Sequence, residues 1–267
     1  MRDPNFHCNG LPDFPKEIAY AAGGVVNNIP IICGGGYGTI YDDNHDESIQ
    51  NKTKKCYKFQ AREWKEMEKG IDEPKFYFGT GNLVIKEEEE KFLIHGGLTE
   101  FIQDKSSRFA DSSEWFGNNT HSLYNGTLPV GGHCNIQIND THFMVTGGLI
   151  PNGKTSKVTN KTYFCHTTDL KECSPGPSLK HERRAHSCYQ KDQYLYVVGG
   201  YKTHSHPEPT EEVETLHLGD EEWKFDTSLD YGIRGQTIIK TLTGEGEGNE
   251  EISNFLFKGA LNFIDML

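Results

Sequence analysis

Alanine is scarce: it occurs at only seven of 267 positions, 19, 21, 22, 61, 110, 185 and 260. A chain so poor in the best helix former, yet holding 29 glycines, 15 phenylalanines and 12 tyrosines, does not favour helices. Positive charge is also in deficit, with 27 Lys and Arg against 39 Asp and Glu and a formal net charge of −12. Such a surface repels phosphate backbones and anionic membranes, so nucleic acid is not an expected partner. No run approaches the ~18–20 apolar residues of a membrane span, and no basic stretch followed by an apolar core marks the first thirty residues as a signal peptide. Also missing are a Gly-x-Ser-x-Gly elbow and any Ser or Cys in an activating context. Nothing in the sequence supplies a catalytic set, a metal site or a cofactor cradle, and the expectation is a non-enzyme with no cofactor.

What is present is a repeat. Diglycines close four short strand-like runs, at Gly34-Gly35, Gly96-Gly97, Gly147-Gly148 and Gly199-Gly200, and Phe255–Ala260 keeps the shape with Ala in second place. Each diglycine is followed by a pair of bulky residues seven apart: Tyr57/Trp64, Phe116/Leu123, Tyr163/Leu170 and Leu216/Trp223. That spacing predicts hairpins whose large side chains meet on one face. Each unit thus reads as strand, strand ending in Gly-Gly, long polar loop, strand, hairpin, strand. Four strands cannot bury both sheet faces alone, so the units must stack. Blades are expected at about 17–70, 71–126, 127–179, 180–229 and 230–267 of one domain spanning 1–267. Residues 1–16, with Phe6, Cys8, Leu11 and Phe14, are expected to offer an outer strand that closes the ring.

Seven cysteines occur. Cys33 and Cys56 flank one loop, Cys165 and Cys173 flank a short turn, and Cys134 and Cys188 follow similar strings one repeat apart. These six are disulfide candidates whose connectivity the sequence leaves open, and Cys8 is left over. Five Asn-x-Ser/Thr sequons, at Asn51, Asn118, Asn125, Asn139 and Asn160, are candidate glycosylation sites. Both features point to the secretory pathway, in which case Met1 is not the start of the precursor or the chain is a fragment; the alternative is a reduced cytoplasmic protein.

The units resemble the kelch repeat, most fully in Arg183-Arg184-Ala185-His186, Tyr194–Gly200, Val213–Leu216 and Trp223. The resemblance spans roughly 17–267, with Leu123 and Leu170 where that family usually has tryptophan. Cys33-Gly34-Gly35 followed by Cys56-Tyr57 is similar to secreted invertebrate kelch proteins. The resemblance implies an all-β propeller of four-stranded blades, about five of them readable here, acting as an extracellular monomeric scaffold for an unidentified protein or glycan. Its long loops, Tyr37–Lys54, Leu98–Ser112, Leu149–Asn160 and Tyr201–Glu212, are the expected contact surfaces, and Arg183, Arg184 and Arg234 are expected at the channel mouth. Two rivals are an intracellular kelch substrate adaptor reading an acidic segment through those arginines, and a galactose-oxidase-like propeller enzyme.

Weaker patterns have plainer readings. Asp42, Asn44 and Asp46 begin like a calcium loop, but Glu47 and Thr53 break it, leaving a solvated loop. His204 and His206 lack a third ligand nearby. His133 and His186 recur at one repeat position and are expected to pack or hydrogen-bond. Glu87–Glu90 and Gly244–Glu251 read as acidic solvated loops.

Overall fold

The computed structural model describes residues 12–41, 47–79, 84–86, 90–102, 106–117, 121–170, 173–203, 209–233, 236–239 and 256–259. Every regular element among them is a strand, and every sheet is antiparallel. Blade 1 opens with β1 (Ala22–Val26) and β2 (Ile29–Cys33), joined by Asn27-Asn28 at φ 49° and 61°. That left-handed pair makes the tight turn which suits a twisted hairpin. A second hairpin, β3 (Gly36–Tyr41) and β4 (Glu47–Lys52), rises after the diglycine, and β5 (Cys56–Gln60) and β6 (Glu63–Glu66) complete the blade in the order β1-β2-β5-β6.

Blade 2 repeats the plan with β7 (Val84–Lys86), β8 (Glu90–Ile94), the inserted hairpin β9 (Leu98–Ile102) and β10 (Ser106–Phe109), then β11 (Ser112–Gly117) and β12 (His121–Asn125). Blade 3 has β13 (Cys134–Gln137), β14 (His142–Thr146), the inserted β15 (Leu149–Asn152) and β16 (Thr155–Val158), then β17 (Thr162–His166) and β18 (Cys173–Gly176). Blade 4 consists of β19 (Ser187–Lys191), β20 (Tyr194–Val198), β21 (Glu212–His217) and β22 (Lys224–Ser228). A further pair, β23 (Gln236–Ile239) and β24 (Leu256–Gly259), follows. The chain is therefore an all-β propeller with four complete blades, followed among the described residues by the two-stranded sheet β23–β24.

The core lies between blades. Val26, Ile31, Cys33 and Cys56 of blade 1 meet Phe92, Ile94 and Phe116 of blade 2. Leu93 and Trp115 meet Phe143, Val145 and Cys165, and Ile136 and Met144 meet Leu195, Val197 and Leu216. Alternate residues of one strand thus serve two seams, as period-two geometry requires.

The seven-residue pairs do not behave alike. In blades 3 and 4 the strand connections span 167–172 and 218–223, so Leu170 and Trp223 sit in them and fold fully inward. In blade 1 the turn is only Ala61-Arg62, both with positive φ, so Trp64 stays in β6 opposite Phe59, half-buried. Leu123 lies in β12 opposite Glu114 and is 39% exposed. A fixed spacing lands on different sides of a hairpin when the turn length changes. Trp115 fills the second seam instead, its indole N–H donating to the Thr167 carbonyl at 3.2 Å. Phe14 packs edge-on against Tyr57 and Trp64, both at 5.1 Å, and caps blade 1 rather than adding a strand there. Phe6, Cys8 and Leu11 lie outside the described residues.

Candidate functional site

One repeated bond builds the ring. The second glycine of each diglycine donates its N–H to a carbonyl of the next blade: Gly35 to Lys75, Gly97 to Val130, Gly148 to Arg183 and Gly200 to Ile233, at 2.7–3.0 Å. Nearer the axis, Tyr77 N–H donates to Tyr20, Gly132 to Tyr77 and Ala185 to Gly132. The glycines are needed twice over. At Gly147, φ is 56° and a Cβ would stand 2.6 Å from the Arg183 carbonyl oxygen.

These bonds align the repeats residue by residue. Ile18, Lys75, Val130 and Arg183 become equivalent, and on the third strand of each blade so do Tyr57, Glu114, Tyr163 and Glu214. Blades 2 and 4 carry an ion pair at these two positions, where blades 1 and 3 carry an aliphatic residue and a tyrosine. Lys75 and Glu114 are completely buried at 2.7 Å; Lys75 also donates to the Ser112 carbonyl and hydroxyl, while Glu114 accepts from Asp72 N–H and contacts His121 Nε2. Arg183 pairs with Glu214, equally buried, and donates to the Gly199 carbonyl; Glu214 accepts the Lys180 and His181 N–H groups. Arg183 is therefore not at the channel mouth. A guanidinium without its carboxylate would be far too costly there, and the fold supplies that carboxylate from its own blade.

Two histidines close inter-blade seams. His95 Nδ1 lies 3.0 Å from His133 Nε2, and Thr146 Oγ1 lies 2.9 Å from His186 Nε2. Burial, helped by the Lys75 charge, lowers the His95 pKa to about 4; burial and the Arg183 charge lower that of His186 to about 3. Burial, with His95 and His186 nearby, also pushes His133 well below the ordinary value. These rings are neutral packing and hydrogen-bonding groups at physiological pH.

The long loops after the diglycines are where the blades depart from simple repetition. In blades 1, 2 and 3 they form hairpins that join edge to edge: β4 pairs with β9 at Ser48–Ile102, Ser107 N–H donates to the Lys154 carbonyl, and the Ser107 and Ser156 hydroxyls are 3.0 Å apart. The result is a canopy spanning three blades on the Gly-Gly face. Its underside, with Leu98, Leu149, Val158, Phe101 and Phe109, packs on Phe76, Tyr77, Ala185 and Tyr201 around the channel mouth. Arg184, half-exposed, donates to the Tyr77 hydroxyl at 2.7 Å and to the Thr203 carbonyl, and lies over the Tyr201 ring at 4.9 Å. Tyr77 thus spans from blade 2 to blade 4 across Gly132, where a Cβ would meet its ring at 2.3 Å. No sequence signal marked this tyrosine, because its partner Arg184 lies 107 residues away.

Three disulfides form. Cys33–Cys56 and Cys165–Cys173 join directly paired positions within blades 1 and 3, and Cys134–Cys188 ties blade 3 to blade 4. Asn51, Asn125 and Asn139 are exposed. Asn139 accepts three hydrogen bonds through Oδ1, from Thr141 N–H, the Thr141 hydroxyl and His142 N–H, so its Nδ2 is not the atom engaged. Asn160 differs: it is half-buried and its Nδ2 donates to the Leu179 carbonyl at 3.0 Å. Asn118, Arg234, Asp42, Asn44, Asp46, His204, His206, Glu87 to Glu89 and Gly244 to Glu251 lie outside the described residues. Glu90 begins β8 and accepts the Asn27 N–H, so it is a contact between blades 1 and 2 and not a free tip. Among the described residues no cluster of three His, Cys, Asp or Glu side chains can hold a metal, and no helix is long and apolar enough to cross a membrane.

No family model matches the chain, and no curated protein does. Among solved structures it is similar to that of YjhT, with a TM-score of 0.65 and 12% identity over 85% of this chain and 76% of that one. At that identity the likeness bears on the fold alone, and it supports a β-propeller.

Proposed function

We propose that this chain is a non-catalytic, extracellular kelch-repeat protein that binds its partner through the canopy on the Gly-Gly face. The carrying observation is that two loop hairpins fuse into one four-stranded sheet over the channel mouth, with the third hairpin hydrogen-bonded to its β10 edge. A loop fixed by neighbours on both sides loses little conformational entropy on binding, which is what a recognition surface needs. Three disulfides, one of them between blades, favour an oxidising compartment. Glycans belong on Asn51, Asn125 and Asn139 and not on Asn160, whose amide nitrogen is committed to the backbone.

The test is expression through a secretory route, followed by intact mass spectrometry with and without glycosidase and reductant. Glycan on the three exposed sequons, with the mass gain of three reduced disulfides, is the expected result. A folded product with bare asparagines and free thiols would sink the extracellular reading and leave the intracellular adaptor in its place.

A further inference from the structure

Charge is unevenly distributed over the canopy. From Thr141 to Thr168 the chain has no aspartate or glutamate, although 39 of its 267 residues are acidic. That stretch supplies β14 to β17 and carries Lys154, Lys157 and Lys161, all exposed. Lys154 sits in the β15–β16 turn, and its carbonyl accepts the Ser107 N–H, which places the exposed Arg108 of β10 beside it. None of these four cations makes an ion pair among the described residues. The carboxylate paired opposite Arg108, Glu100, is instead taken by the Ser106 hydroxyl at 2.7 Å. Four exposed lysines elsewhere are matched, Lys55 with Glu66, Lys65 with Glu63, Lys180 with Glu222 and Lys224 with Asp220. The exposed Lys16, Lys54 and Lys69 make no ion pair among the described residues, Lys16 and Lys69 lying in stretches rich in carboxylates.

We propose that the β10–β15–β16 part of the canopy, with Arg108, Lys154 and Lys157, is a docking surface for a sulfated polysaccharide. This deepens the canopy reading given above and rests on its extracellular setting. Two features choose this occupant over a protein. The hairpin surface around the cations is polar and offers the exposed Asn152 amide, a group that hydrogen-bonds readily to sulfate and sugar hydroxyls. It also lacks an apolar anchor. Among the described residues the exposed large hydrophobics are Val25, Tyr37, Ile102, Leu123, Tyr194, Phe225 and Tyr231, and of these only Ile102, opposite Ser106 and paired on its other side with Ser48, lies on this hairpin pair. Protein interfaces depend on buried aromatic or aliphatic anchors, whereas a polyanion needs cations without competing carboxylates.

The experiment is equilibrium binding of the full, disulfide-bonded chain to a heparin oligosaccharide as a function of NaCl concentration. Saturable binding that weakens with salt is expected, and a Lys154→Gln/Lys157→Gln variant should lose about fivefold in affinity per removed charge. Lys191→Gln, on blade 4, should leave affinity unchanged, and both variants should melt like the parent because the altered side chains are not buried. Equal losses in both variants, absence of binding, or equally tight binding of duplex DNA at the same salt would each overturn the proposal. Because the glycan and disulfide measurement is made separately, failure here is distinguishable from failure of the extracellular reading.

Discussion

Blades 2 and 4 enclose a buried cation and carboxylate where blades 1 and 3 enclose an aliphatic residue and a tyrosine: Lys75–Glu114 and Arg183–Glu214 against Ile18/Tyr57 and Val130/Tyr163. The backbone frame is the same in all four, since the glycine-to-carbonyl bonds recur with Lys75, Val130, Arg183 and Ile233. The comparison teaches that the propeller frame tolerates either chemistry, provided both members agree. An ion pair costs desolvation and recovers it only when every partner is present, while an apolar pair costs nothing electrostatic. The two members are separated by 39 residues in blade 2 (114 − 75) and by 31 in blade 4 (214 − 183). Only the folded blade makes them one unit.

The comparison can be broken most sharply at blade 4. Glu214→Gln leaves the buried Arg183 guanidinium with only the more distant Glu212 carboxylate, at 3.5 Å, and should cost about 3 kcal/mol in chemical denaturation. Installing the blade 3 pair, Arg183→Val with Glu214→Tyr, should recover more than half of that loss. A double variant as unstable as the single one would show that the two solutions are not interchangeable.

The seams differ as well. Cys134–Cys188 closes a separation of 54 residues across two blades and Cys165–Cys173 one of 8 within a blade. Loop-closure entropy predicts losses of about 4 and about 2.5 kcal/mol when each pair is replaced by serine. The ranking of the two melting temperatures checks this. Gly147→Ala combines a left-handed φ with a carbonyl 2.6 Å from the new methyl, and should cost about 3 kcal/mol by displacing blade 4. Gly153→Ala shares the positive φ but meets nothing within 4 Å, and should cost only about 1 kcal/mol.

A further comparison concerns acid. His95, His133 and His186 have folded pKa values below the unfolded value of about 6.5, so below that pH the unfolded chain binds more protons. Stability should therefore be fully present above about pH 6.5 and fall as pH drops toward 4, by at most about 1.4 kcal/mol per pH unit for each histidine. Denaturation midpoints at pH 7 and pH 5 measure the slope. His186→Gln should flatten it, and an unchanged slope would mean that the seam histidines are not its source.

Much of the fold was legible because its signals are local. Gly34-Gly35, Gly96-Gly97, Gly147-Gly148 and Gly199-Gly200 each end the second strand of a blade. The cysteines of Cys33–Cys56 and Cys165–Cys173 pair across neighbouring strands of one sheet, and the local strings around Cys134 and Cys188 mark equivalent positions. The site was less legible. The arginines of Arg183-Arg184 look alike in sequence, yet one is buried against Glu214 and the other reaches Tyr77 at the channel mouth. Adjacent residues of an extended chain point to opposite sides, and only the arrangement of blades decides which side is interior. Likewise the loops after the diglycines read as polar connections, because a hairpin that borrows its packing from the next blade carries little signal of its own.

The sequence by itself determined the strand-rich composition, the period of the repeat, the glycines that let blades approach and the cysteines available to staple them. These are matters of backbone freedom and short-range pattern. The tertiary structure decided that three loops become one canopy, that blades 2 and 4 hold ion pairs, and that Arg108 of blade 2 comes beside Lys154 of blade 3. Each of those unites residues far apart in sequence, and the distances between them exist only once the blades have folded and stacked.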